Sequence, residues 1–190
     1  MSDISTLGYA LDELRGVVLA LDDSQMDTVT NCAPWTVRQL ASHALNNQLL
    51  WAGIVTGHDT VSAEDTMSAV AHDGDLAAFA DDATTRALAM WSTPGVLEHV
   101  HATPLGDLPG STVIDFAIVD AVAHSWDLSA SVGRAIELAP EEIPAISAVV
   151  EATCTDAARA HGLIQPVTAV PADATDTERL MAAAGRAIPR

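Results

Sequence analysis

The sequence predicts an all-α fold: a four-helix bundle, with a short extended or hairpin excursion before the fourth helix and extra helices at the C-terminal end. Three observations predict it. Hydrophobic residues make up 49% of the 190 positions, 35 of them are Ala, and aromatic residues are only 4%, a mixture suited to helices packed closely over small side chains. Apolar residues recur at steps of three and four rather than alternating. Helix-opening and helix-closing residues punctuate the chain at helix-length intervals.

The elements follow in order. Ile4, Leu7, Leu11, Leu14, Val18 and Leu21 place one apolar stripe on a first helix. After a turn-rich stretch through Asn31 and Pro34, Thr36 and Gln39 form the S/T-x-x-E/Q capping box of a second helix, which Gly57 closes. Residues 58–72 are polar, lack a period and read as a loop. Asp75 caps a third helix with apolar positions Leu76, Phe79, Ala83, Ala87 and Met90, and Pro94-Gly95 ends it. From Val96 to Gly110 the alternation around His99 and His101, with Pro104 and a Gly106-Asp107 turn, indicates the extended excursion. Ser111 then caps a fourth helix ending near Gly133. Pro140 suits the first turn of a fifth helix reaching about His161, with Gly162 at its end; Pro144 would be awkward inside it, so a start beyond Pro144 is the alternative. Residues 163–174 read as extended, and a last short helix opens on a second capping box, Thr175 to Glu178, and stops at Gly185. No repeat or linker divides the chain, so residues 1–190 are expected to form a single domain.

Composition excludes several functions. Eight Arg, no Lys and 26 acidic residues give a formal net charge of −18, which repels nucleic-acid phosphates and anionic lipid heads. Without Lys there is no Walker-type P-loop, no Schiff-base chemistry and no protein-kinase site. The start, Met1-Ser2-Asp3-Ile4, lacks the basic and apolar regions of a signal peptide, and no apolar run reaches the roughly 18 residues of a membrane span. Cys32 and Cys154 have no CxxC partner, and a reducing cytoplasmic setting is expected.

Two helices carry polar residues on their apolar faces. On the second, His43 and Asn47 share a stripe with Leu40, Leu50 and Ile54; on the fourth, Asp120, His124 and Asp127 share one with Val113 and Phe116. A buried carboxylate must be paired or bound to a cation. His43, Asp120 and His124 together form a two-His-one-carboxylate set suited to a divalent metal (zinc foremost, nickel or ferrous iron as alternatives), with open positions for water or substrate. A hydrogen-bonded polar core without metal is the competing reading. Asn47 and Asp127 either orient a ligating His or line a polar cavity. His99 and His101 are either a further ligand source or exposed loop residues, and Cys32 is either a thiol at a pocket mouth or inert. His58, His72 and His161, near loops or helix ends, receive no role, and the four Trp read as packing anchors.

These residues lie in segments with a familiar look. CAPWTVRQLASHAL, containing His43, and DFAIVDAVAHSWDLSASVGR, containing Asp120 and His124, resemble the second- and fourth-helix motifs of the DinB-like superfamily, in the branch of mycothiol-dependent maleylpyruvate isomerases. The ending VPADATDTERLMAAAGRAIP resembles that of an uncharacterised metal-binding subgroup. The resemblance implies a DinB-like bundle with His43, Asp120 and His124 as metal ligands. It further implies a metal-dependent thiol S-transferase or isomerase acting on a small electrophile, with a mycothiol-type thiol as co-substrate. A non-catalytic metal- or ligand-binding bundle protein is the alternative, and a homodimer is compatible with such a bundle. Within that reading Arg186 is either an anchor for an acidic substrate or a surface residue closing the last helix. Two departures bear on the reaction: Asp120 stands where the isomerase has the longer Glu, and only about 28 residues follow Gly162, too few for the isomerase's separate C-terminal domain. The resemblance therefore carries the metal framework further than it carries isomerisation.

Overall fold

The computed structural model describes residues 4–58, 60–160, 162 and 164–188. Four long helices form the bundle: α1 (Ile4–Leu19), α2 (Val37–Thr56), α4 (Leu76–Trp91) and α5 (Gly110–Ser131). Each packs on two of the others, α1 and α2 both lying against α4 and α5. Leu7, Leu11, Leu14, Leu40, Leu45, Ile114, Ile118 and Leu128 are almost wholly buried between them. Ala residues at the closest approaches, such as Ala10, Ala44, Ala83, Ala87, Ala117 and Ala121, are fully buried too. That explains how an Ala-rich, aromatic-poor chain fills its interior. No described helix is long and apolar enough to cross a membrane.

The start of α2 matches its expected cap: Thr36 accepts from the Gln39 amide, the Gln39 side chain returns to the Thr36 amide, and Gly57 closes the helix at φ 72°. The buried face of α2 is turned from the expected stripe. Leu40 and His43 are buried, but Asn47, Leu50 and Ile54 are only half-buried, and the deep positions are Ala41, Ala44, Leu45, Gln48, Ala52 and Val55. The small residues Ala41, Ala44 and Ala52 on this face are fully buried. The expected loop over 58–72 contains a five-residue helix, α3 (Ala63–Met67), opened by the Ser62 hydroxyl on the Asp65 amide. In α4 the cap is Asp75, as expected, but Ala80, Thr84 and Trp91 are buried while Phe79 and Met90 are half-buried.

The excursion is a regular antiparallel hairpin of β1 (Val100–Thr103) and β2 (Gly106–Pro109), with Thr103 opposite Gly106. Its turn is therefore Pro104-Leu105, not Gly106-Asp107. The fourth long helix starts at Gly110 rather than on a Ser111 cap. A Cβ at position 110 would lie 1.9 Å from the Val96 carbonyl oxygen, so the chain can pass only as glycine. The first amides of α5 are satisfied by loop carbonyls, Gly110 on His99 and Ser111 on Leu97.

Beyond α5, α6 (Ile143–Thr153) packs on it and α8 (Asp176–Ala183) packs on α6. Pro144 sits in the first turn of α6, where its missing N–H has no intrahelical acceptor to lose. The expected single helix to about His161 instead breaks at Cys154, and α7 (Asp156–Ala160) follows; His161 itself lies outside the described residues. Arg159 fastens this region by donating to the carbonyls of Cys154, Ala183 and Gln165. The Thr175–Glu178 capping box opens α8 as expected.

Candidate metal centre

One turn of α5 separates Asp120 from His124, and nearly another separates His124 from Asp127, so all three project toward the same side of the helix. His43 on α2 faces them, its ring 5.1 Å from that of His124 and nearly perpendicular to it. The ligand atoms of His43, Asp120 and His124 all lie within 4.8 Å of one another. His43 and His124 are 6% and 8% exposed.

Hydrogen bonds define which nitrogens remain available. His43 Nδ1 is 2.7 Å from the Thr66 carbonyl of α3, and since a carbonyl only accepts, Nδ1 carries the hydrogen. Burial and the charge of His124 hold the His43 pKa below its usual value, so its Nε2 keeps a free lone pair. His124 Nδ1 donates to Asp127 Oδ2 at 3.0 Å, which directs Nε2 toward Asp120 Oδ1 at 3.4 Å. The Asp120 carboxylate is itself aimed: Asn47 Nδ2 donates to Oδ1 at 2.8 Å and Gln48 Nε2 to Oδ2 at 3.0 Å. Two Nε2 atoms and one carboxylate thus converge, each fixed from behind by a second partner, and this donor set fits a divalent ion such as zinc.

Electrostatics hold the set together without an ion. Burial alone would discharge His124, but Asp120, with help from Asp127, outweighs it and lifts the imidazole pKa well above its usual value. Burial likewise favours the neutral acid at Asp127, which is 1% exposed, yet His124 and Arg186 hold its carboxyl well below the usual carboxylate range. Asp127 is the hub of this network. Its Oδ2 also accepts from Arg186 at 3.1 Å and from the Cys32 thiol at 3.4 Å, while Oδ1 accepts from Asn31 at 2.9 Å.

Of the sequence-derived candidates, His43, Asp120 and His124 are brought together, and Asp127 sits behind His124 as the orienting alternative requires. Asn47 orients the carboxylate, not a histidine. Arg186 is not a surface residue: its side chain is only 21% exposed, and it pairs with Asp127. Cys32, His124 and Asp127 form a second set of convergent donors, but the Asp127 carboxylate there is already filled by Arg186 and Asn31, and an added cation would face the guanidinium. The Thr66 carbonyl, Gln48, Asn31 and the Trp35 ring, 4.7 Å from that of His43, carried no signal in the sequence reading. His72 stacks on Phe79 at 4.3 Å, while His58, His99 and His101 line a separate cleft.

Residues 7–129 match the family described as the mycothiol maleylpyruvate isomerase N-terminal domain. An uncharacterised protein of Mycobacterium tuberculosis, known from two strains, is 26% identical over 140 residues, covering 70% of this chain and 68% of its own. Among solved structures, the mycothiol-dependent maleylpyruvate isomerase superposes with a TM-score of 0.65 at 17% identity, covering 84% of this chain and 70% of the enzyme. A variant of that enzyme gives the same TM-score at 16% identity.

Proposed function

The chain belongs to the mycothiol maleylpyruvate isomerase N-terminal domain family, and from that premise we propose a divalent-metal-dependent enzyme that uses a mycothiol-type thiol to conjugate or isomerise a small electrophile. Its fold is that of the DinB-like, maleylpyruvate isomerase-like branch. The observation that carries the reading is the pair of buried imidazoles whose Nδ1 atoms are both committed, to Thr66 and to Asp127, leaving two Nε2 atoms converging with Asp120.

The assigned ligands are His43, Asp120 and His124, with zinc as the ion. When bound, such an ion keeps a coordinated thiol deprotonated at neutral pH. The chain supplies the rest. Asp127 holds the His124 tautomer, and Arg186 keeps Asp127 ionised. Asn47 and Gln48 hold both oxygens of Asp120. Trp35 packs against the His43 ring, and the Thr66 carbonyl holds its Nδ1. Two free thiols, one half-buried and one buried, suit a reducing cytoplasm, where we locate the chain.

Metal analysis of protein purified without chelator tests the first half: one equivalent of zinc is expected, and its absence overturns the reading. Mycothiol added to the cobalt-substituted protein tests the second, with a sulfur-to-cobalt absorption band expected. A bound thiol that conjugates no electrophile would make the chain a metal and thiol binder instead of an enzyme.

A further inference from the structure

Seven of the eight arginines lie among the described residues, the chain has no lysine, and each of the seven is already engaged. Arg15, Arg86 and Arg134 pair with Asp81, Asp82 and Asp22. Arg38, Arg159 and Arg179 donate to backbone carbonyls. Arg186 is the one that reaches the centre, and each of its guanidinium nitrogens already donates: Nε and Nη2 to Asp127, Nη1 to the Ala184 carbonyl. A further carboxylate arriving from solution would therefore find no unpaired cationic side chain among the described residues.

Charge at the centre points the same way. A divalent ion held by Asp120 and one thiolate sums to zero, and Arg186 is cancelled by Asp127. Glu64 and Asp65 lie exposed on α3, immediately before the Thr66 that holds His43. Apolar side chains lie on the same segments: Trp35 is half-buried against His43, Val29 pairs with Thr36 and is 63% exposed, and Met67, next to Thr66, is 67% exposed.

We propose that the centre selects an uncharged, apolar electrophile and discriminates against dicarboxylates, the charge class of maleylpyruvate. The proposal rests on the metal-and-thiol reading above. In the step it serves, the thiolate sulfur bonds to one carbon of an activated double bond, the π pair moves to the neighbouring carbon, and that carbon takes a proton from solvent.

The test uses the full chain loaded with cobalt and mycothiol. The sulfur-to-cobalt band itself tests the underlying reading; without it, both fall. With the band present, unreactive dimethyl succinate should shift it at a concentration at least tenfold below any at which succinate does. With dimethyl maleate and maleate, the rate enhancement over the uncatalysed reaction with mycothiol should favour the ester at least tenfold. A band shifted equally well by succinate, a band moved by neither compound, or an enhancement for maleate equal to or above that for its ester overturns the proposal while leaving the metal-and-thiol reading standing.

Discussion

Near the start of α2, His43 is buried against His124 with the Nδ1 of each ring committed to an acceptor, whereas near the end of α2 His58, His99 and His101 line an open cleft of about 400 Å³. The twelve residues from His43 to Val55 put the two places roughly 18 Å apart along the helix. The cleft is the richer in histidine, yet among the described residues its rings do not form a convergent donor set, and His101 Nε2 is turned onto the Val96 carbonyl. The difference teaches that imidazole number is a poor guide to a convergent donor set. What counts is a second partner on the far nitrogen and a carboxylate that is held in place.

The largest effect should come from breaking the ordered end. His124→Ala removes a proposed ligand and the partner of both carboxylates, and the metal affinity should fall by more than the ~100-fold that loss of a supporting partner costs. His99→Ala at the open end should leave the stoichiometry at one, and metal analysis of the two variants side by side checks the contrast. A loss of metal in both would break the comparison.

Asp127→Asn should come next. The amide is uncharged, so it accepts from His124 Nδ1 more weakly and leaves Arg186 without its counter-charge. Metal affinity should drop by about 10- to 100-fold, read by competition with a chromophoric chelator. Arg186→Gln should move it in the same direction by less, because the Asp127 bond to His124 survives.

Acidity sharpens the same contrast. The raised pKa means that metal-free His124 stays protonated at pH values where an ordinary histidine is neutral, and an entering ion must expel that proton. Affinity should therefore rise with pH by up to about tenfold per unit below the His124 pKa and level off above it. The stability that the protonated ring contributes to the metal-free fold runs the other way: it is fully present below the unfolded pKa of about 6.5 and lost as pH rises through the folded value. A pH series of metal competition and of thermal unfolding of the apo protein should show the two opposite slopes.

Much of the ordered end was legible because its signals are local. The Thr36–Gln39 box fixes where α2 begins, and the spacing of Asp120, His124 and Asp127 fixes one face of α5. What escaped was of three kinds. The Thr66 carbonyl is a backbone atom, and α3 is too short to display a helical period, so nothing in residue type announces either. Gln48 lies off the histidine stripe, on the buried face it shares with Ala41, Ala44 and Ala52. Arg186 reaches Asp127 across 59 positions, a distance at which single-sequence patterns carry no information. At the open end the alternation signals the hairpin, but Gly106-Asp107 begins β2 and Pro104-Leu105 makes the turn.

The smallest effect belongs to His101. Its Nε2 donates to Val96 at 2.8 Å, tying β1 to the loop whose His99 and Leu97 carbonyls receive the first amides of α5. His101→Ala should cost about 1 kcal/mol, the ordinary net worth of one hydrogen bond. In a chain of this length that lowers the melting temperature by about 2–4 °C. Metal content should not change, because the anchored helix start lies near the hairpin, while Asp120 and His124 sit ten and fourteen residues further along a helix that is also clamped by α1 and α2. Calorimetry and metal analysis on the same preparation separate the two outcomes: a melting shift with full metal keeps the ends independent, whereas partial loss of metal would mean that the hairpin sets the position of α5 along its whole length.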